Sequence, residues 1–138
     1  MIQFLTVTGR YKKVNYQKYR INWDIEGRSK FQKRTKDFLR PFWEKYIICE
    51  EFPLPGTRLT FDFFNINKLI AIEVQGQQHL KYIPYFHQNK NNFINQMERD
   101  AQKTKFCQIN NIQLIEIYPS DEPLTVNFFS EKGVILNK

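Results

Sequence analysis

The chain has 138 residues, 41% of them hydrophobic and 16% aromatic, a size and composition that suit one globular domain with a buried core and exclude a low-complexity or disordered chain. Lys and Arg total 21 against 14 Asp and Glu, a net charge of +7, and residues 10–46 hold 12 basic and 4 acidic side chains while the rest of the chain holds 9 and 10. An excess confined to one third of the sequence suits a polyanion, so nucleic acid is the first partner to consider, and no window has the apolar length of a membrane span.

The run Met1 to Val7 is too short for the core of a secretion signal and is followed by charge, so an intracellular, cytoplasmic protein is expected. Residues 1–28 read as a basic extension with one or two short strands, because Tyr and basic side chains interleave from Gly9 to Arg20. Ser29 then opens a helix: Ser29-Lys30-Phe31-Gln32 has the form of a capping box, in which each side chain satisfies an orphaned backbone donor. Phe31, Thr35, Phe38, Leu39 and Phe42 follow on one apolar face, with Lys30, Lys33, Arg34 and Lys36 on the other. Pro41 is expected to end or kink this helix near Arg40.

Tyr46 to Glu51 reads as a strand, and Pro53 to Gly56 as the turn after it. Along the strand Arg58 to Asn65, alternation puts Leu59, Phe61 and Phe63 on one side and Thr60, Asp62 and Phe64 on the other. Leu69 to Val74 reads as a strand buried on both faces, making an antiparallel hairpin with its predecessor. Phe93 to Asn111 fits a second helix with Ile94, Met97, Ala101 and Thr104 inward, and Ile112 to Tyr118 a closing strand. Cys49 and Cys107 lie far apart without a Cys-x-x-Cys, so both read as reduced, buried thiols. The order helix, three strands, helix, strand makes an α/β domain with a mixed sheet, since the second helix provides a crossover.

Glu73 is the anomaly, a carboxylate at the end of an otherwise apolar strand. Burying it unpaired is expensive, so it needs a metal ion or a basic partner. Asp62 lies eleven residues earlier on the adjacent strand, and a short turn can bring the two side by side. Adjacent carboxylates repel unless a cation binds between them, and hard oxygen ligands favour Mg2+ or Mn2+ over zinc. Such an ion can bind a phosphate and lower the pKa of a water, which together with the basic segment points to phosphodiester hydrolysis. The plainer alternatives are an exposed polar residue for Asp62 and a buried ion pair with a Lys or Arg for Glu73.

Asp62, followed by Glu73-Val74-Gln75 at the end of the next strand, resembles the signature of the PD-(D/E)XK nuclease superfamily. The wider pattern of Phe61-Asp62-Phe63, Ile72-Glu73-Val74-Gln75-Gly76, His79, Arg99-Asp100 with Lys103, and Ile112 to Ile117 is similar to the branch of very-short-patch repair and phage homing endonucleases. The resemblance runs from about Ser29 to Pro119. It implies a three-layer restriction-endonuclease-like core over 29–119, with 1–28 as a basic N-terminal extension and 120–138 as a C-terminal tail, all in one nuclease domain. It also implies a metal held by Asp62, Glu73 and the Val74 carbonyl, with His79 as a donor to phosphate or a general acid. Phe61 replaces the name-giving Pro. Gln75 stands in place of the usual Lys and would position water, so activation falls on the metal, or on Lys103 or Lys105 reaching in from the second helix. Where relatives often carry Glu on the first helix, this chain has Gln32, with Asp37 and Glu44 nearby.

On this reading Arg10, Lys12, Lys13, Lys18 and Arg20 are candidates for groove contacts from a two-stranded ribbon, and Lys30, Lys33 and Arg34 for phosphates of duplex DNA. Tyr82, Tyr85 and Phe86 can stack on bases or anchor a loop. Cutting both strands at one site would need a homodimer. Homing is the favoured role, with repair nicking, restriction and junction resolution as neighbours. The alternatives are a non-catalytic DNA-binding module that keeps the fold, and an RNA-directed nuclease.

Overall fold

The computed structural model describes residues 1–75 and 90–138. Two antiparallel strands, β1 (Ile2–Leu5) and β2 (Tyr11–Val14), open the chain, followed by a 3-10 turn at Tyr16–Tyr19 and helix α1 (Lys30–Trp43). Strands β3 (Ile48–Pro53), β4 (Thr60–Asn65) and β5 (Ile70–Val74) come next, then the long helix α2 (Lys90–Ile109), strand β6 (Gln113–Ile117) and a short helix α3 (Val126–Glu131). The four later strands form one mixed sheet in the order β3-β4-β5-β6, antiparallel except for the parallel pair β5 and β6. The expected α/β class with a mixed sheet is therefore what the chain adopts. Among the described residues no helix is long and apolar enough to cross a membrane.

The sheet is covered on both faces. One apolar cluster joins Leu39, Phe42 and Trp43 of α1 to Ile48, Phe63, Ile72 and Ile117, and takes in Phe129, Val134 and Leu136. Within 120–138, Phe129, Val134 and Leu136 thus pack into the core. The other cluster joins Phe106, Cys107 and Ile112 to Phe52, Phe61, Phe64 and Ala71, with Phe4 and Val14 of the N-terminal hairpin. That hairpin is built into the fold: the Asn110 side chain accepts from the Leu5 N–H at 2.8 Å and donates to the Leu5 carbonyl at 2.9 Å. The Asn110 amide thereby satisfies backbone groups of β1 as a neighbouring strand would.

Several expectations are corrected. Helix α1 runs through Pro41 to Trp43, and Glu44 N–H bonds the Arg40 carbonyl at 3.0 Å. Buried Phe42 and Trp43 hold the last turn against the core, which outweighs the single backbone donor that Pro41 lacks. The Ser29 hydroxyl caps Gln32 N–H at 3.1 Å, but Gln32 reaches back to the N–H of Arg28 at 2.7 Å, one residue further than a capping box requires. Lys36 is not on a solvated face: it is 0% exposed, and its ammonium donates to the Ile25 carbonyl and to both oxygens of Glu50.

The alternation along β4 also breaks. Phe61 packs with Phe64 at 5.4 Å between ring centroids, while Phe63 joins the opposite cluster. The cause is local. Glu51 on β3 has a left-handed φ of 50°, and the pairing of β3 with β4 passes from Glu50↔Phe63 to Phe52↔Phe61 without a Glu51↔Asp62 rung. The face assignment changes at that irregular position.

Candidate active site

Asp62 and Glu73 meet where β4 and β5 part. The last ladder pair is Phe63↔Ile72, and beyond it the side chains take over the backbone's role. Asp62 N–H donates to Glu73 Oε2 at 2.8 Å, and Val74 N–H donates to Asp62 Oδ2 at 2.7 Å. Each carboxylate closes the other strand's amide. Gln75 N–H turns the opposite way, to the Ile117 carbonyl at 2.8 Å. Because a trans peptide sets its N–H and C=O on opposite sides, the Val74 carbonyl is aimed away from β6, toward the β4 side where Asp62 lies.

Glu73 is 3% exposed. Burial, and then the negative charge of Asp62, push its carboxyl up to about 7, against the opposing pull of the Lys103 ammonium. Burial likewise raises Asp62, offset by the Val74 amide and by the positive charges of Lys103 and Arg28. The pair holds a proton more tightly than two free carboxyls do, which is the response of like charges crowded out of water. Lys103 of α2 donates to Glu73 Oε1. The basic partner expected as one way of burying Glu73 is therefore present.

The face of α2 that does this differs from the expected one. Ile94 is 41% and Met97 55% exposed, and Ala101 and Thr104 face solvent, whereas Gln96, Asp100 and Lys103 are half-buried and Phe106 and Cys107 are buried. A helix crossing above a carboxylate pair does better with polar groups over the charges and apolar groups only over Phe61 and Phe4. The apolar period misleads here for that reason.

The remaining candidates fall into three groups. Gln75 is half-buried just past β5. Arg10, Lys12, Lys13, Lys18, Arg20 and Lys30 are exposed, whereas Lys33 is paired with Asp37 at 2.9 Å and Arg34 makes a two-pronged contact with Glu122. His79, Gly76, Tyr82, Tyr85 and Phe86 lie outside the described residues.

Two neighbours of the pair were not singled out from the sequence. Glu116 is the parallel partner of Glu73, and its Oε2 accepts from the Tyr118 hydroxyl at 2.6 Å. The repeat of Ile72-Glu73-Val74 as Ile115-Glu116-Ile117 was a signal that could have found it. Arg28 bridges toward Glu51 at 3.4 Å and bears on Asp62, with no sequence signal beyond its charge.

The donor set fits a hard divalent cation. Carboxylate and carbonyl oxygens are what Mg2+ and Mn2+ take. Mg2+ is commonly held by one or two carboxylates, with water filling the other positions. Among the described residues no three His, Cys, Asp or Glu side chains group to hold an ion.

No family model matches the chain, and no solved structure does. It is similar to three viral proteins over about half its length or less. These are uncharacterized protein 307L of Invertebrate iridescent virus 6, 42% identical over 59 residues, and uncharacterized protein 033L of Invertebrate iridescent virus 3, 37% identical over 65. The third is uncharacterized protein 094L of Frog virus 3 (isolate Goorha), 38% identical over 66 residues. The matches cover 43%, 47% and 47% of this chain and 30%, 34% and 43% of the relatives.

Proposed function

We propose that the chain is a divalent-metal-dependent DNA endonuclease of the PD-(D/E)XK kind, with a restriction-endonuclease-like core. The observation that carries the reading is the pair Asp62 and Glu73, crowded at the parting ends of two strands with their pKa values raised and a lysine from the crossover helix beside them. The element order from α1 to β6, with β5 and β6 parallel across α2, supports it.

Asp62, Glu73 and the Val74 carbonyl would hold Mg2+ or Mn2+. When bound, such an ion lowers the pKa of a water and offsets charge on the phosphate. Lys103 supplies the positive charge that Gln75 lacks, and it favours the ionised form of Glu73 by opposing, in part, the desolvation of its carboxylate. Gln75, whose backbone N–H is pinned to β6, would orient the attacking water through its side-chain amide. The exposed Arg10, Lys12 and Lys13 on the hairpin, with Lys18, Arg20 and Lys30, supply phosphate contacts. The viral origin of the relatives supports a virus-encoded enzyme.

One observation favours the alternative of a non-catalytic DNA-binding module: Glu73 has both oxygens occupied, by Lys103 and by the Asp62 amide. Supercoiled plasmid incubated in Mg2+ or Mn2+ separates the two. The nuclease relaxes or linearises it, and Asp62→Ala and Glu73→Ala abolish this. Variants that cut as fast as the parent overturn the assignment of the carboxylates. Salt-sensitive binding without cleavage in either metal identifies the module.

A further inference from the structure

Along β3, the edge strand next to the one that carries Asp62, lies an open cleft of about 470 Å³. Its walls are the turn bearing Lys18, Tyr19 and Arg20 and the loop bearing Arg28, and Glu50 and Glu51 of β3 also line it. We propose that this cleft takes one unpaired nucleotide of the DNA strand that leads to Asp62 and Glu73, an inference that rests on the nuclease reading.

Position is the first argument. Glu51, which lines the cleft, and Asp62 occupy the irregular rung between the pairs Glu50↔Phe63 and Phe52↔Phe61, so the cleft lies one strand from Asp62. Arg28 spans the two, with its guanidinium 3.4 Å from Glu51 and its charge felt at Asp62.

Charge is the second. Three acids line the cleft, but Glu50 is held by the buried Lys36, and Glu51 is engaged by Arg28, Gln32 and Thr60, leaving only the exposed Glu26. Lys18 and Arg20 have no carboxylate partner among the described residues and remain available for phosphate.

Size and shape are the third. The volume lies in the range of small-ligand pockets, about 300–1,000 Å³, which admits a single nucleotide and excludes a duplex. Tyr19 presents a half-buried ring fixed edge-on against Phe52 at 5.9 Å, a platform on which a base can stack. The turn is also pinned. Arg20 bridges to Cys49, and Ile21 N–H bonds the Ile48 carbonyl at 2.9 Å, so the platform and the cations are held along the edge of β3.

The test is fluorescence anisotropy in EDTA with two labelled DNAs, a blunt duplex and the same duplex carrying a single-stranded flap. The flap is expected to bind about tenfold tighter, the lower part of what stacking one base gives. Tyr19→Ala removes about tenfold of the flap affinity and leaves the blunt duplex unchanged, Tyr19→Phe retains it, and Arg20→Ala, which loses a phosphate contact with either DNA, weakens the flap about tenfold more than the duplex and lowers the salt slope by about one. Equal affinity of the parent for both DNAs overturns the proposal, as does an equal loss on both in the exposed-site variant Arg20→Ala. Flap preference in EDTA without cleavage in any metal keeps the cleft and removes the nuclease. Cleavage that depends on Asp62 without flap preference does the reverse.

Discussion

Lys103 donates to Glu73 from a point on α2 thirty residues further along the chain, so the charge balance of the carboxylate pair is set by a helix rather than by the strand that carries the glutamate. Replacing the lysine leaves the proposed cation ligands in place and removes the charge beside them. Lys103→Met is expected to lower cleavage by about 10²-fold or more while Mn2+ still binds by calorimetry. Without the ammonium, Glu73 rises further above 7, so the acid limb of the pH–rate profile moves to higher pH. An unmoved limb would show that Lys103 does not act through Glu73.

Stability carries the signature of the same group. The folded-state carboxyl of Glu73 sits at about 7, above its ordinary 4.5. Its contribution is therefore fully present below about pH 4.5 and is lost as pH rises through 7. Glu73→Gln cannot ionise and should gain on the parent steadily across that window. Melting temperatures of both proteins from pH 4.5 to 8 would test this, and parallel curves would sink it.

Asn110→Ala should cost about 2 kcal/mol, since it removes the two hydrogen bonds that hold β1 and exposes the Leu5 amide. Urea unfolding gives the total, and faster hydrogen exchange at Leu5 than in β5 gives the location.

For the pair of buried Lys36 and half-buried Glu50, Lys36→Met should destabilise by about 2 kcal/mol, because it leaves Glu50 unpaired and frees the Ile25 carbonyl. The double variant Lys36→Met, Glu50→Leu should recover much of the loss in chemical denaturation. A double variant as unstable as the single would place the effect in the Ile25 contact.

The order of elements was legible because each has a strong local cause: the Ser29 cap, the apolar strand ending at Glu73, and the crossover before β6. The pairing of Asp62 with Glu73 was legible from strand length and turn length. Three things were not. The left-handed Glu51, which breaks the alternation through Phe61 and Phe63, is a backbone state no pattern of residue types announces. The inward face of α2 was misread, because Ile94 and Met97 outrank Lys103 on any scale of hydrophobicity, and only the carboxylates beneath the helix reverse the ranking. Lys36 looked like one more surface cation, and its burial depends on Glu50 and the Ile25 carbonyl converging from distant positions.

The reciprocal bonds between Asp62, Glu73 and the amides of Val74 and Asp62 bear on how any such chemistry can be dissected. The oxygens that would attract an ion are also the fasteners of two strand tips, so truncation to alanine unpicks the seam along with the charge. Asn at 62 and Gln at 73 each retain an acceptor oxygen of the same reach. With the fastening kept and the charge gone, they would separate a protein that has lost its reaction from one that has lost its shape.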